Sequence, residues 1–237
     1  MQFINGLLMS VTFFASVTLL VILQQRKLVG RLLLFFVLLV FYVLRSAVLL
    51  FGMRAFDRAA YLEIEFFTSL VDLGLQLALA YFLIRSLTRL QHRGPVRLQN
   101  SAWSLFGATL LVAGALTAAL GFILPVYSPV PVDREVVLSG LVFLLLVFVR
   151  NRDKSSPEAA VLTGFWVVSA VNILAQFGRT IAASHRDPRL FISWAYANSA
   201  MWVCVLVFWI LRLASIERVP EFSRLAASRA ESEPNPL

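Results

Sequence analysis

Seven long apolar runs, separated by short breaks that carry charges, proline or glycine, fill almost the whole chain. A run of about 20 residues with few charges is what a helix needs to cross the roughly 30 Å hydrocarbon core of a bilayer. Lipid offers no partners for backbone polar groups, so a crossing segment must satisfy them internally. We therefore predict an all-α polytopic integral membrane protein, a seven-transmembrane-helix bundle. The predicted spans are about 2–23, 31–51, 60–84, 102–124, 134–149, 159–183 and 190–211.

The composition supports this class and leaves little room for a soluble domain. Of 237 residues, 59% are hydrophobic and only 14% are charged, more apolar surface than one soluble core of this length can bury. We predict a transmembrane domain over residues 1–213 and a flexible, polar, cytoplasmic tail over 214–237. The lone cysteine excludes a disulfide framework or a paired-cysteine metal motif, and no cofactor is expected.

The basic residues predict the orientation. Fourteen lysines and arginines lie in the first, third and fifth connections and the tail side, against five on the opposite side. Since cytoplasmic loops are enriched in Lys and Arg, the N-terminus is predicted outside and the C-terminus in the cytoplasm. The net charge of +8 is thus assigned to anionic lipid headgroups on the cytoplasmic side, not to nucleic acid. A plasma membrane or bacterial inner membrane is the expected location.

Ionisable residues inside spans are costly and usually face a bundle interior or a water-filled cavity. From a rise of about 1.5 Å per residue, Arg45, Glu65 and Arg179 all lie roughly 10 Å below the outer edge. We therefore expect these three side chains to meet. Asp72 lies deeper, at about 20 Å from either edge, with no cationic partner apparent.

Helical spacing places polar residues on one stripe of each of three spans. Stripes that face a common centre would form an outward-facing polar cavity with Asp72 near its floor. Two arginines against one deep acid leave spare positive charge, which favours a small anionic or zwitterionic ligand. The predicted ligand-binding or coupling residues are Arg45, Glu65, Asp72, Gln76, Asn172, Gln176, Arg179, Tyr196 and Asn198.

Three functions remain open. The first is a binding protein, either a sensor or a carrier that uses Asp72 for coupling. The second is a structural or assembly subunit of a larger membrane complex, in which an Arg45–Glu65 pair and cross-helix amide bonds only fix helix order. The third and least favoured is an intramembrane enzyme that uses Glu65 or Asp72, because neither a nucleophile nor a metal set accompanies these carboxylates.

The fourth span carries small residues at a regular interval. Gly107, Gly114 and Gly121 repeat every seven residues, and Ala118 completes a small-x-x-x-small step from Gly114. Such a face permits close approach of another helix. It predicts packing within the bundle or, alternatively, a homodimer seam.

The predicted topology resembles that of rhodopsins, receptor-type sensors and small sugar transporters, but the resemblance stops there. The chain has lysine only at positions 27 and 154, so the seventh span lacks the lysine of a retinal Schiff base. All nine prolines lie between spans or in the tail, and both histidines lie in loops. A repeat of two three-helix units joined by a linker helix is a weaker possibility, and no family is assigned.

Overall fold

The computed structural model describes residues 2–55, 58–91, 97–123, 134–146 and 156–216. Within these ranges the chain forms seven α-helices and no strand, which confirms the all-α fold class. The helices are α1 (Gln2–Gln25), α2 (Leu33–Ala55), α3 (Arg58–Gln91), α4 (Arg97–Ile123), α5 (Arg134–Leu145), α6 (Pro157–Ser184) and α7 (Pro188–Ala214).

Four helices are long and apolar enough to cross a membrane, as expected for a multi-pass membrane protein. Their apolar stretches are Glu63–Ser86, Ala102–Leu120, Pro157–Ser184 and Pro188–Ala214, in α3, α4, α6 and α7. Helices α1, α2 and α5 contain shorter apolar stretches, Ser10–Gln25, Leu33–Val48 and Val136–Leu145. The seven-span count, the orientation and the domain boundary stay predictions. The end of the predicted fifth span and residues 217–237 lie outside the described residues.

The helices are arranged as a closed ring. Each helix packs against the next one in the chain, and α7 packs against α1. Helix α3 also contacts α5 and α6, so it lies towards the centre of the ring. Residues of α3 that face away from α4 are therefore positioned to meet side chains from several other helices.

An aromatic cluster forms the core between α2, α5, α6 and α7. The indole of Trp209 is fully buried and packs 4.9 Å from the Phe35 ring and 5.0 Å from the Phe165 ring, between centroids. Its Nε1–H donates to the backbone oxygen of Ala160 at 3.1 Å, so the polar end of the ring is satisfied. Gly164 faces this indole so closely that a Cβ atom there would overlap the ring.

Two tight turns connect neighbouring helices in the same way. At the end of α1, Lys27 has a φ of 55°, and its amide and that of Leu28 donate to Gln24 and Leu23 in the Schellman pattern. Arg186, with a φ of 54°, ends α6 in the same geometry. Glycine usually occupies such left-handed positions, so both residues adopt a backbone conformation that is costly for a residue with a side chain.

An ion pair connects the α1–α2 turn to the start of α6. Arg31 Nε lies 2.7 Å from Glu158 Oε1, and Arg31 Nη2 lies 3.0 Å from Oε2. Glu158 is buried and sits in the first turn of α6, where the helix dipole favours an acid. Nearby, Arg26 Nη1 donates to the backbone oxygen of Ile216 at 3.2 Å, just after α7. These contacts hold three chain segments together at one end of the ring.

Close helix contacts at glycine occur on α6 rather than on the α4 glycine face. A Cβ atom at Gly178 would overlap the Trp194 ring, as at Gly164. At Gly107 and Gly114, by contrast, no described atom lies within 4 Å of such a Cβ. Within the described chain, these α4 glycines therefore do not serve a close helix approach. The surroundings of Gly121 lie outside the described side chains, and a homodimer seam stays a prediction.

Candidate functional site

A hydrogen-bonded network between α2 and α3 is centred on Asp72. Tyr42 donates its hydroxyl proton to Asp72 Oδ1 at 2.9 Å, and Gln76 Nε2 donates to the same oxygen at 2.9 Å. Arg45 Nη1 donates to Asp72 Oδ2 at 3.3 Å, which forms an ion pair. Gln76 Nε2 also lies 3.1 Å from the Tyr42 hydroxyl. The carboxylate therefore joins a cation, a phenol and an amide from two helices.

Helical periodicity explains how these residues meet. Tyr42 and Arg45 are three residues apart on α2, and Asp72 and Gln76 are four apart on α3. Both spacings place the side chains on one face of their helix. A further contact extends this face, because Arg45 Nη2 donates to Ser69 Oγ at 3.3 Å. The network is thus the contact between two complementary polar faces.

The structure pairs Arg45 with Asp72 and not with Glu65. Helix α2 continues to Ala55, and α3 begins at Arg58, so the connection is only two residues long. Residues that are equally far from this connection lie at the same depth on α2 and α3. On this basis Arg45 is level with the helical turn that contains Ser69, not with Glu65. The depth argument from sequence assumed different helix ends and misaligned the pair. Glu65 is exposed, and Asp72 has the cationic partner that the sequence did not reveal.

A cavity of about 590 Å³ lies against this network. Among the described residues, six helices contribute to its wall, all except α4. Most of the residues on the wall have polar side chains, but apolar atoms provide the larger part of its surface, and Tyr42, Phe165 and Trp202 are among the aromatic contributors. The lining residues are Leu8, Thr12, Tyr42, Arg45, Ser46, Asp72, Gln76, Val136, Ser139, Phe165, Val168, Ser169, Asn172, Asn198, Ser199 and Trp202.

Two amide side chains on the wall have no hydrogen-bond partner among the described residues. These are Asn172 on α6 and Asn198 on α7. An amide that is removed from water without a partner costs several kcal/mol, on the order of 2–7. Such groups persist in a membrane protein when they face water or a polar ligand. Both amides are half-buried and therefore remain available to water or to a polar ligand in the cavity.

The charges on the wall compensate one another. Arg45 and Asp72 are its only charged residues among those described, and they pair at 3.3 Å. Their side chains are 22% and 17% exposed. The expectation of an anionic or zwitterionic ligand assumed two arginines with spare charge, but Arg179 does not line the cavity. The wall thus presents dipoles and a neutral ion pair.

The nine residues predicted from sequence separate into two groups. The cavity brings together five of them, namely Arg45, Asp72, Gln76, Asn172 and Asn198. The other four are not on its wall: Glu65 is exposed, Gln176 is buried, and Arg179 and Tyr196 are half-buried. Gln176 and Arg179 lie one and two turns beyond Asn172 on α6.

Sequence reasoning missed Tyr42, the second donor of α2. Its position three residues before Arg45 was the available signal, because that spacing places both on one helix face. Tyr42 also packs edge-to-face against Trp202, with ring centroids 5.4 Å apart. Trp202 in turn lies 5.9 Å from Trp209 in the buried aromatic cluster. The cavity wall is therefore continuous with the rigid core.

The site has no metal-binding character in the described part of the chain. No group of three or more His, Cys, Asp or Glu side chains is close enough there to hold a metal ion. Comparisons with known proteins add no assignment, since no family model, curated protein or solved structure matches the chain. The function must therefore be argued from the cavity itself.

Proposed function

We propose that this chain is a membrane binding protein, a sensor or a carrier, which holds a small polar ligand in the cavity next to Asp72. The observation that carries the proposal is the pair of partnerless amides, Asn172 and Asn198, on the wall of a cavity of about 590 Å³. That volume lies within the roughly 300–1,000 Å³ of typical small-molecule sites. A few polar groups that converge on such a cavity are what fix the orientation of a ligand.

The proposed topology has seven spans, an outside N-terminus and a cytoplasmic C-terminus. In this orientation the start of α1, the end of α2 and the starts of α5 and α7 are all on the outer side. The cavity residues Thr12, Arg45, Ser139 and Asn198 lie near the middle of their helices, slightly towards this outer side. The turn with Arg26 and the Arg31–Glu158 pair then lies on the cytoplasmic side, where basic residues are favoured. The cavity would then lie near the middle of the membrane, and we propose that it opens to the outer side.

Asp72 is the natural coupling residue if the protein is a carrier. Its carboxylate holds Arg45 and Tyr42 of α2 against α3, so a change in its charge would alter the contact between two helices. A carrier would show uptake into proteoliposomes that responds to a pH gradient and changes in Asp72→Asn. A sensor would bind ligand without uptake and would pass the signal to a separate partner.

The scaffold hypothesis predicts a different structure around Asp72. A structural subunit would be expected to fill the space around Asp72 with packed side chains. The polar cavity favours ligand binding over that arrangement.

Cysteine labelling tests whether the cavity is connected to water. In a Cys204→Ser background, Asn172→Cys is placed on the cavity wall and Leu174→Cys on the outer surface of the same helix, where Leu174 is 58% exposed. Both variants are reconstituted in liposomes and treated with a charged, membrane-impermeant methanethiosulfonate reagent. We expect Asn172→Cys to react, because a thiolate forms in water, and Leu174→Cys to remain unmodified in lipid.

The two positions form a matched pair. They are two residues apart, so their depths differ by only about 3 Å while they point to opposite sides of the helix. Equal resistance of both cysteines to the reagent would refute a water-connected cavity and favour the scaffold.

A further inference from the structure

We infer that the ligand is an uncharged polyhydroxylated small molecule, such as a polyol or a monosaccharide; the inference rests on the proposed binding function. The first reason is charge. The wall carries one cation and one anion in the described chain, and each is the other's partner at 3.3 Å. A ligand with a net charge would have to break this pair or bind without a compensating charge on the wall. A neutral ligand requires neither.

The second reason is the type of hydrogen-bonding group. Ser139 and Ser199 use their hydroxyl protons on their own helices, donating to the backbone oxygens of Val136 at 3.3 Å and Ala195 at 3.1 Å. Both oxygens keep lone pairs on the cavity wall and can accept hydrogen bonds from a donor.

The two amides on the wall add both donors and acceptors. Each amide, Asn172 and Asn198, offers an acceptor oxygen and two donor hydrogens. A hydroxyl group both donates and accepts, so a compound with several hydroxyls matches serine oxygens and amides together. A carboxylate accepts only and could not donate to the serine oxygens.

The third reason is the aromatic surface beside these polar groups. Tyr42, Phe165 and Trp202 all line the cavity. Tyr42 and Trp202 are half-buried and meet edge-to-face at 88°, whereas Phe165 is buried and stacks on Phe143. The C–H faces of a sugar or cyclitol ring are apolar and pack against aromatic rings, while its hydroxyls point outwards to polar partners. A wall with both features suits such an amphipathic ring.

A binding panel with the full-length protein tests the inference. The probes are radiolabelled myo-inositol, D-glucose, D-galactose and D-mannitol as neutral polyols, glycine as a zwitterion and L-glutamate as an anion. We expect saturable binding of at least one polyol that is tighter than the binding of glycine or glutamate. Asn198→Ala should weaken it roughly tenfold, the loss of about one hydrogen bond.

Tyr196→Phe is the matched control on the same helix. Tyr196 does not line the cavity, so this variant should bind the polyol as the wild type does. Equal losses in both variants would mean that the effect is not local to the cavity and would overturn the inference.

The outcomes separate this inference from the proposed function. Tighter binding of glycine or glutamate would overturn the uncharged ligand but keep a binding protein. Absence of binding for every polyol, with Asn172→Cys still labelled, would overturn the ligand class alone. Failure of Asn172→Cys to be labelled would remove the proposed function and the inference together.

Discussion

The ion pair between Arg45 and Asp72 makes a quantitative prediction that distinguishes the structure from the sequence-based pairing. The two groups lie 3.3 Å apart, and their side chains are 22% and 17% exposed. Exposed pairs contribute about 0–1 kcal/mol, whereas removing one partner of a buried pair costs about 3–5 kcal/mol. A pair that is about one-fifth exposed falls between these limits, so we expect a coupling energy of roughly 2 kcal/mol.

A double-mutant cycle measures this coupling. Asp72→Asn keeps an oxygen for Tyr42 and Gln76 but removes the charge opposite Arg45. Arg45→Met removes the cation and retains much of the side-chain volume. The free energy of unfolding is measured for both single variants and the double variant by denaturation from mixed micelles. Either single substitution already removes the ion pair, so the second substitution has no pair left to break. The double variant should therefore be about 2 kcal/mol more stable than the sum of the two single effects predicts.

The control cycle uses the partner that the sequence suggested. Glu65 is exposed and makes no ion pair with Arg45. Arg45→Met combined with Glu65→Gln should therefore be additive within about 0.5 kcal/mol. Coupling that is larger with Glu65 than with Asp72 would refute the helix alignment on which the network depends.

Three further predictions concern the packing and the turns of the helix bundle. Arg31→Ala should lower the free energy of unfolding by about 1–3 kcal/mol, because it removes both hydrogen bonds that the guanidinium donates to the buried Glu158 carboxylate. In a Glu158→Gln background, the same denaturation assay should show a clearly smaller loss. Gly164→Ala should lower the free energy of unfolding by about 1–3 kcal/mol, because the added methyl group overlaps the Trp209 ring. Gly107→Ala should be tolerated, because the space beside Gly107 is open. Equal thermal stability of the two variants would contradict this packing. Lys27→Gly should raise the unfolding free energy by about 0.5–1 kcal/mol, since glycine adopts a φ of 55° without strain, and a decrease would argue against the turn geometry.

The number and position of the helices were accessible from the sequence because hydropathy is a local property. Each predicted span overlaps one observed helix. The ends differ where helix continues past the apolar run: α3 reaches Gln91, although its predicted span stops at residue 84, before Arg85. Charged residues end a hydrophobic stretch but do not end a helix, so hydropathy cannot locate this boundary.

The polar faces of α3, α6 and α7 were also predictable in part, since helical spacing decides which side chains share a face. Asp72, Gln76, Asn172 and Asn198 were selected on that basis and line one cavity. The wall positions of Thr12 and Ser139 were not predictable, because single hydroxyls are common on buried helix faces. Their role emerges only when α1 and α5 are placed in the ring.

Pair identities and close contacts depend on how helices align, which one sequence does not reveal. The heptad of glycines on α4 predicted a close approach, yet the closest approaches among the described glycines are at Gly164 and Gly178 on α6. In those two cases a tryptophan ring from α7 occupies the space that the glycine leaves. A glycine that accommodates one large ring need not be part of a regular repeat in the sequence. A search for regularly spaced small residues therefore does not find it.

The most direct measurement is a cryo-electron microscopy map of the protein in lipid nanodiscs. We predict non-protein density, from ordered water or a bound small molecule, within hydrogen-bond distance of Asn172 and Asn198. We also predict that Asp72 contacts Tyr42 and Arg45 beside that density. A space closed by side chains or occupied by an acyl chain would contradict a polar binding cavity.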